Sequence, residues 1–168
     1  FIDGRARMDP NFPVGLMDIL WVKDEEGAYR MLKDKRGRMH LVSVPKEEKN
    51  WKLCRVEGRQ TIAGGKVQVR FHDGRNLLST AELNTGDVVR LEVPTQKILD
   101  VYRLKAGVKA IISGGSHVGQ LATIERYERW NKPSPNLVYF SEGFSTVWTN
   151  VFAVGETPVV TPPEVSAF

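Results

Sequence analysis

The chain has 168 residues, 41% hydrophobic and 26% charged, which suits one domain or two small ones with a real core and argues against disorder. Cys54 is the single cysteine, so no intrachain disulfide framework exists and a reducing, intracellular setting is expected. No apolar stretch reaches the length of a membrane span, and no signal-peptide pattern opens the chain; its first residue is Phe1, and a preceding segment is expected.

The formal net charge is +4, but its distribution says more. All 24 Lys and Arg fall within the first 132 residues, and beyond Lys132 the only charged residues are Glu142, Glu156 and Glu164. The first three quarters therefore carry the potential that would face a polyanion.

Residues 1–22 open with Ile2-Asp3-Gly4-Arg5, a strand entering a DG turn. Arg5 and Arg7 share one face of any strand that continues from it. Leu16 to Val22 is a short apolar run of strand length. Ala28–Leu32 and Met39–Val44 read as two strands joined by a basic turn that packs Lys33, Lys35, Arg36 and Arg38 into six residues. Such a cluster commonly does no more than solvate a turn, yet it is also a ready phosphate contact. Pro45-Lys46-Glu47-Glu48 has the signature of a helix start, so a short helix is expected to run to about Arg55 with Trp51 and Leu53 facing inward. Cys54 fits as a small buried apolar residue.

Residues 61–95 are strongly β. In Lys66 to His72, Val67, Val69 and Phe71 alternate with Lys66, Gln68, Arg70 and His72, giving one core face and one basic face. Asp73-Gly74-Arg75-Asn76 reads as a turn, Gly86 to Val93 as a strand stopped by Pro94, and Lys97 to Lys105 as another. The stretch Val108 to Trp130 organises the rest. An apolar strand containing Lys109, Ala110 and Ile112 enters the loop Gly114-Gly115-Ser116-His117-Val118-Gly119, and Leu121, Thr123 and Ile124 leave it. Gly114, Gly115 and Gly119 would supply positive φ or close backbone approach. Ser116 and His117 sit at the tip, with Arg126, Arg129 and Lys132 following; exposed amides, a hydroxyl and an imidazole beside cations suit a phosphate-rich partner. Such loops are more often plain turns. Three short strands (Leu137–Phe140, Ser145–Trp148, Val151–Val154) close what reads as a small barrel, and a proline-rich end follows.

Catalytic signatures are scarce. His40, His72 and His117 fall on separate segments without ligand spacing among themselves or with Cys54, so neither a metal nor a cofactor is expected. GGSHVG lacks the Gly-Lys-Ser/Thr of a phosphate loop, and Ser113 and Ser116 lack a strand-to-helix elbow. The chain is expected not to be an enzyme.

The ordered motifs IDGRARMD (2–9), FPVGLMDI (12–19), EEKNWKLCRV (47–56), HDGRN (72–76), VKAIISGGSHVG (108–119) and NVFAVG (150–155) resemble the archaeal and eukaryotic small-ribosomal-subunit protein family S-four-e over residues 1–155. The proline-rich end after Gly155, shorter and less basic than the tails of eukaryotic members, leans towards an archaeal source. The resemblance implies a mainly β fold: residues 1–14 as the last hairpin of an S-four-type RNA-binding domain, 15–105 as a central β domain, 106–155 as a KOW domain (an SH3-like barrel) and 156–168 as a tail. Gly119 would be the characteristic KOW glycine. It further implies a non-catalytic, cytoplasmic constituent of the small subunit, monomeric outside the ribosome and away from membranes. Its partners would be small-subunit ribosomal RNA and neighbouring ribosomal proteins. RNA contacts are expected from the hairpin cations named above, together with Asn76, Ser116 and His117, while Tyr127, Trp130 and His117 would stack on bases. Two alternatives remain open: a KOW-type transcription or translation factor off the ribosome, and a protein-binding β module.

Overall fold

The computed structural model describes residues 1–79, 82–93, 95–128, 133–134, 136–156 and 160. Among them, thirteen strands form three antiparallel sheets, with helix confined to two short 3-10 turns, Lys46–Asn50 and Trp148–Asn150. The chain is mainly β, as its alternation of apolar residues requires.

The first sheet has the order β1 (Ile19–Leu20), β2 (Ala28–Lys33), β3 (Met39–Val44). β2 turns Ala28, Arg30 and Leu32 inward and leaves Tyr29 exposed. The apolar run 16–22 yields only a two-residue strand, because Met17 takes a left-handed φ of 68° that ends the extended backbone. The expected DG turn is present: Asp3 (φ 49°) and Gly4 (φ 76°) are both left-handed, and Ile2 and Arg5 exchange both backbone hydrogen bonds.

The middle sheet has the order β6-β5-β4-β7-β8, built from β4 (Trp51–Thr61), β5 (Val67–Phe71), β6 (Asn76–Ser79), β7 (Val88–Glu92) and β8 (Ile98–Tyr102). Here the structure corrects the expected helix to Arg55. After a single 3-10 turn, Trp51 already begins β4, the eleven-residue strand at the centre of the sheet. Every residue from Trp51 to Val56 is buried, because β4 separates two cores. Trp51 and Leu53 enter the larger one, while Cys54 and Val56 enter a smaller one with Val69, Phe71, Leu83, Val89 and Leu91. A second correction concerns Asn76, which starts β6 instead of closing a turn.

The third sheet has the order β12-β11-β10-β9-β13, from β9 (Lys109–Ile112), β10 (Leu121–Glu128), β11 (Leu137–Phe140), β12 (Ser145–Val147) and β13 (Val151–Gly155). Its Ala110, Ile112, Ile124, Val138, Phe140 and Phe152 join Met17, Leu32, Trp51, Leu53 and Val88 in the larger core, so apolar packing runs without a break through all three sheets. Val160, in the proline-rich end, is buried in the same core; the other residues beyond Glu156, and Pro94, lie outside the described residues.

Candidate nucleic-acid interface

The turn between β2 and β3 is built by Asp34. Its carboxylate accepts the backbone N–H groups of Arg36 (2.8 Å) and Arg38 (2.9 Å) and the His40 ring nitrogen Nε2 (2.7 Å), while Gly37 adopts φ 77°. Burial works against ionisation of Asp34, but these donors outweigh it and hold the carboxyl below its ordinary range. One buried acid thus folds the backbone so that Lys35, Arg36 and Arg38 project to solvent, with no ion-pair partner among the described residues.

The glycine loop docks against this turn. Gly119 (φ 76°) donates to the Ile112 carbonyl at 2.8 Å and lies directly on the backbone of Asp34 and Lys35, where a Cβ would collide with the Asp34 carbonyl group. Lys33 spans the junction: its Nζ donates to the Ser113 carbonyl at 3.0 Å. On the other flank, a Cβ at Gly114 would stand 2.8 Å from the Asn150 amide oxygen, so a side chain here would require the Asn150 amide to shift. Gly115, by contrast, has φ 80°. The two turns therefore form one rigid surface bearing Lys35, Arg36, Arg38 and exposed Ser116, with His117 stacked on Phe144 (centroids 4.0 Å apart, 14° between planes). Neither hairpin alone reveals this union, since 80 residues separate Lys33 from Ser113.

Other sequence-predicted positions scatter. Arg5 and Arg7 are exposed near the amino terminus, with Arg7 over the Phe12 ring at 4.2 Å. Lys66, Arg70 and Asn76 are exposed on the middle sheet, and Lys109 is half-buried at the start of β9. Arg126 is exposed but lies over the Tyr139 ring at 4.2 Å and pairs with Glu128 at 3.3 Å. The Tyr127 hydroxyl accepts from the Asn136 amide. Arg129, Trp130 and Lys132 lie outside the described residues.

Two expected contacts point inward. The His72 ring accepts the Arg55 N–H on Nδ1 (3.1 Å) and meets the Leu16 carbonyl through Nε2 (3.0 Å), and burial pushes its pKa down. Its expected outward direction fails because β5 ends at Phe71 and His72 enters the following turn, where its ring meets the Leu16 carbonyl. Arg75 donates to Asp73 (2.9 Å) and Asp3 (3.1 Å). Both belong to a cluster the sequence does not announce. The fully buried Lys52 ammonium donates to Asp18 (2.6 Å), Asp73 (2.9 Å) and Asp3 (3.0 Å), tying the amino-terminal turn, the approach to β1, β4 and the β5–β6 turn together. Burial works against this ammonium, and the acidic groups around it (Cys54, Asp3, Asp73 and Asp18) more than reverse that, leaving its pKa raised. Burial likewise opposes ionisation of Asp73, but Lys52 wins and lowers its pKa. The three carboxylates could offer oxygens to a metal ion, all within 4.8 Å, but the ammonium already occupies the space between them. The cluster is a structural clasp. Among the described residues, no helix is long and apolar enough to cross a membrane.

Comparison with known proteins bears on the arrangement. The profile of Ribosomal family S4e matches residues 25–98. Small ribosomal subunit protein eS4 of Methanothermobacter thermautotrophicus is 36% identical over 159 residues, covering 92% of this chain and 66% of that protein. For eS4 of Thermoplasma acidophilum the identity is 35% over 168 residues, with 98% and 71% covered. The crystal structure of the 30S ribosomal protein S4e from Thermoplasma acidophilum superposes with a TM-score of 0.83 at 34% identity, covering 94% of this chain and 80% of that one. The chain thus spans about two thirds of the length of the curated relatives it matches. On identity, coverage and fold together, this chain belongs to the ribosomal S4e family.

Proposed function

We propose that this chain is a non-catalytic constituent of the small ribosomal subunit that holds small-subunit ribosomal RNA on the surface where the β2–β3 turn meets the glycine loop. One observation carries the assignment to that surface: Gly119 seats the loop on the Asp34–Lys35 backbone, so that three cations without an ion-pair partner among the described residues share one face with the loop tip. Phosphate contacts of this kind position a protein on RNA without reading sequence, and they need no helix in a groove. Support for the ribosomal setting comes from the relatives, which are small ribosomal subunit proteins. In this reading residues 15–105 are the central domain, residues 106–155 the KOW-type barrel, and neighbouring ribosomal proteins the further partners in the cytoplasm.

The test is binding of the chain to small-subunit ribosomal RNA against a duplex DNA control across a salt series. RNA-selective binding that weakens steeply with salt is expected, and charge reversal at Arg36 and Arg38 should flatten the slope by roughly the two phosphates removed. Equal affinity for both nucleic acids, or a slope untouched by the reversal, would refute the assignment.

A further inference from the structure

A second surface has a different chemistry. Past the register shift between Val56 and Gly58, β4 leaves the sandwiched part of the middle sheet and opens one face to solvent. Gly58 pairs with Arg70, Gln60 with Gln68, and Arg70 with Asn76, so these residues share that face, while Val69 and Phe71 point into the core behind it. With Arg59 they line an open concavity of about 250 Å³. Gly58 is part of the lining, and the Arg70 guanidinium lies across it: a Cβ there would stand in ordinary contact, 3.5 Å from Arg70 Nη2.

Among the described residues, the lining contains no carboxylate. Solvated sheet faces ordinarily interleave both signs of charge, with cross-strand partners satisfying one another. Here the side chains of Gln60, Gln68, Arg70 and Asn76 have no hydrogen-bond or ion-pair partner among the described residues. A carboxamide offers a donor and an acceptor side by side, the pattern that the edge of a nucleobase presents. A guanidinium fork fits a phosphate. Leu78, paired with Gln68 and 54% exposed, adds an apolar platform at the rim. A duplex hides its base edges from a shallow trough, whereas an unpaired base can enter it.

We propose that this trough binds an unpaired RNA nucleotide, with Arg70 on its phosphate and the carboxamides of Gln60, Gln68 and Asn76 on its base edge. The proposal rests on the RNA-binding function above, but it assigns a separate face and a separate ligand, a single-stranded segment.

The test uses the full chain and two probes, a mixed-sequence RNA strand of about ten nucleotides and the blunt RNA duplex it forms with its complement. The triple variant Q60A/Q68A/N76A should bind the single strand about tenfold more weakly while keeping wild-type affinity for the duplex. R70Q, an independent variant, should reduce the single-strand salt slope by about 0.7. Gln60, Arg70 and Asn76 are exposed and Gln68 is half-buried, so melting temperatures should stay close to the wild type. Equal weakening towards both probes, or single-strand affinity within about twofold of wild type, would overturn the proposal while leaving ribosomal RNA binding intact. A wild-type chain that binds neither probe nor small-subunit RNA would overturn both.

Discussion

Replacing Lys52 with Met removes the cation from the clasp while keeping most of its hydrocarbon volume. The ammonium lies 2.6 to 3.0 Å from three carboxylate oxygens. At an effective permittivity of about 20, each contact is worth roughly 6 kcal/mol before desolvation, and burial of the ions consumes most of that gain. What decides the outcome is what remains. Asp3, Asp18 and Asp73 stay at only 10 to 12% side-chain exposure; among the described residues Arg75 is the one cation left paired with them, and it touches Asp3 and Asp73 but not Asp18. Removing one partner of a buried ion pair costs about 3–5 kcal/mol. For a chain of this length that lowers the melting temperature by roughly 6–20 °C.

Urea unfolding followed by tryptophan fluorescence measures the loss, and its pH dependence identifies the cause. Crowded carboxylates without their cation have raised pKa values, so K52M should approach the wild type as pH falls from 7 towards 5. Adding D18N should recover part of the loss, because the carboxylate left with no cation is then neutral. A K52M variant within about 1 kcal/mol of wild type at pH 7, with a difference that does not change with pH, would refute the clasp as a source of stability.

Gly119→Val forces a left-handed φ on a β-branched residue and drives a Cβ into the Asp34 backbone; a loss of at least ~2 kcal/mol in the unfolding free energy is expected, and an unchanged melting temperature would contradict the docking of loop on turn. Reversing charge at Arg36 and Arg38 should weaken ribosomal RNA binding about tenfold or more at about 0.1 M salt with no change in melting temperature, since both side chains are exposed. Asp34 and Asp73 have folded pKa values below their unfolded ones, so the stability they contribute is present above about pH 4 and lost as pH falls through their folded values; D73N should flatten the acid limb of a urea-midpoint titration. His72 is neutral in the fold with its pKa lowered, so its contribution is present above the unfolded value near 6.5 and fades as pH falls below it, which a shallower loss between pH 7 and 5 in H72N would reveal.

The sequence displays what obeys period two beside a turn signal, and conceals what two cores impose together. The β2–β3 hairpin is legible because a turn carrying Asp34 and Gly37 joins two runs of strand length; its observed strands match the expected ones to within one residue, although the charge of inward-facing Arg30 breaks the apolar alternation and conceals its burial. The strands around the glycine loop are legible for the same reason. β4 is not. Buried on both faces, Trp51-Lys52-Leu53-Cys54-Arg55-Val56 breaks the phase of its apolar–polar alternation at Leu53-Cys54, and Pro45-Lys46-Glu47-Glu48 before it mimics a helix start. Its Lys and Arg look like solvated positions until Asp3, Asp18 and Asp73 are brought to Lys52 and the Val151 carbonyl to Arg55, contacts spanning 21 to 96 residues. The same limit explains His72 and Arg75, basic residues that look outward on their own hairpin but are enclosed by the amino-terminal segment crossing it. A cation's sequence neighbours set the local direction of its side chain; the segments that close over it decide whether it meets water and RNA or a buried carboxylate. That is why Lys35, Arg36 and Arg38, on a turn whose one buried acid is spent on the backbone and His40, remain free for phosphate, while Lys52 in the same basic stretch of sequence serves the fold.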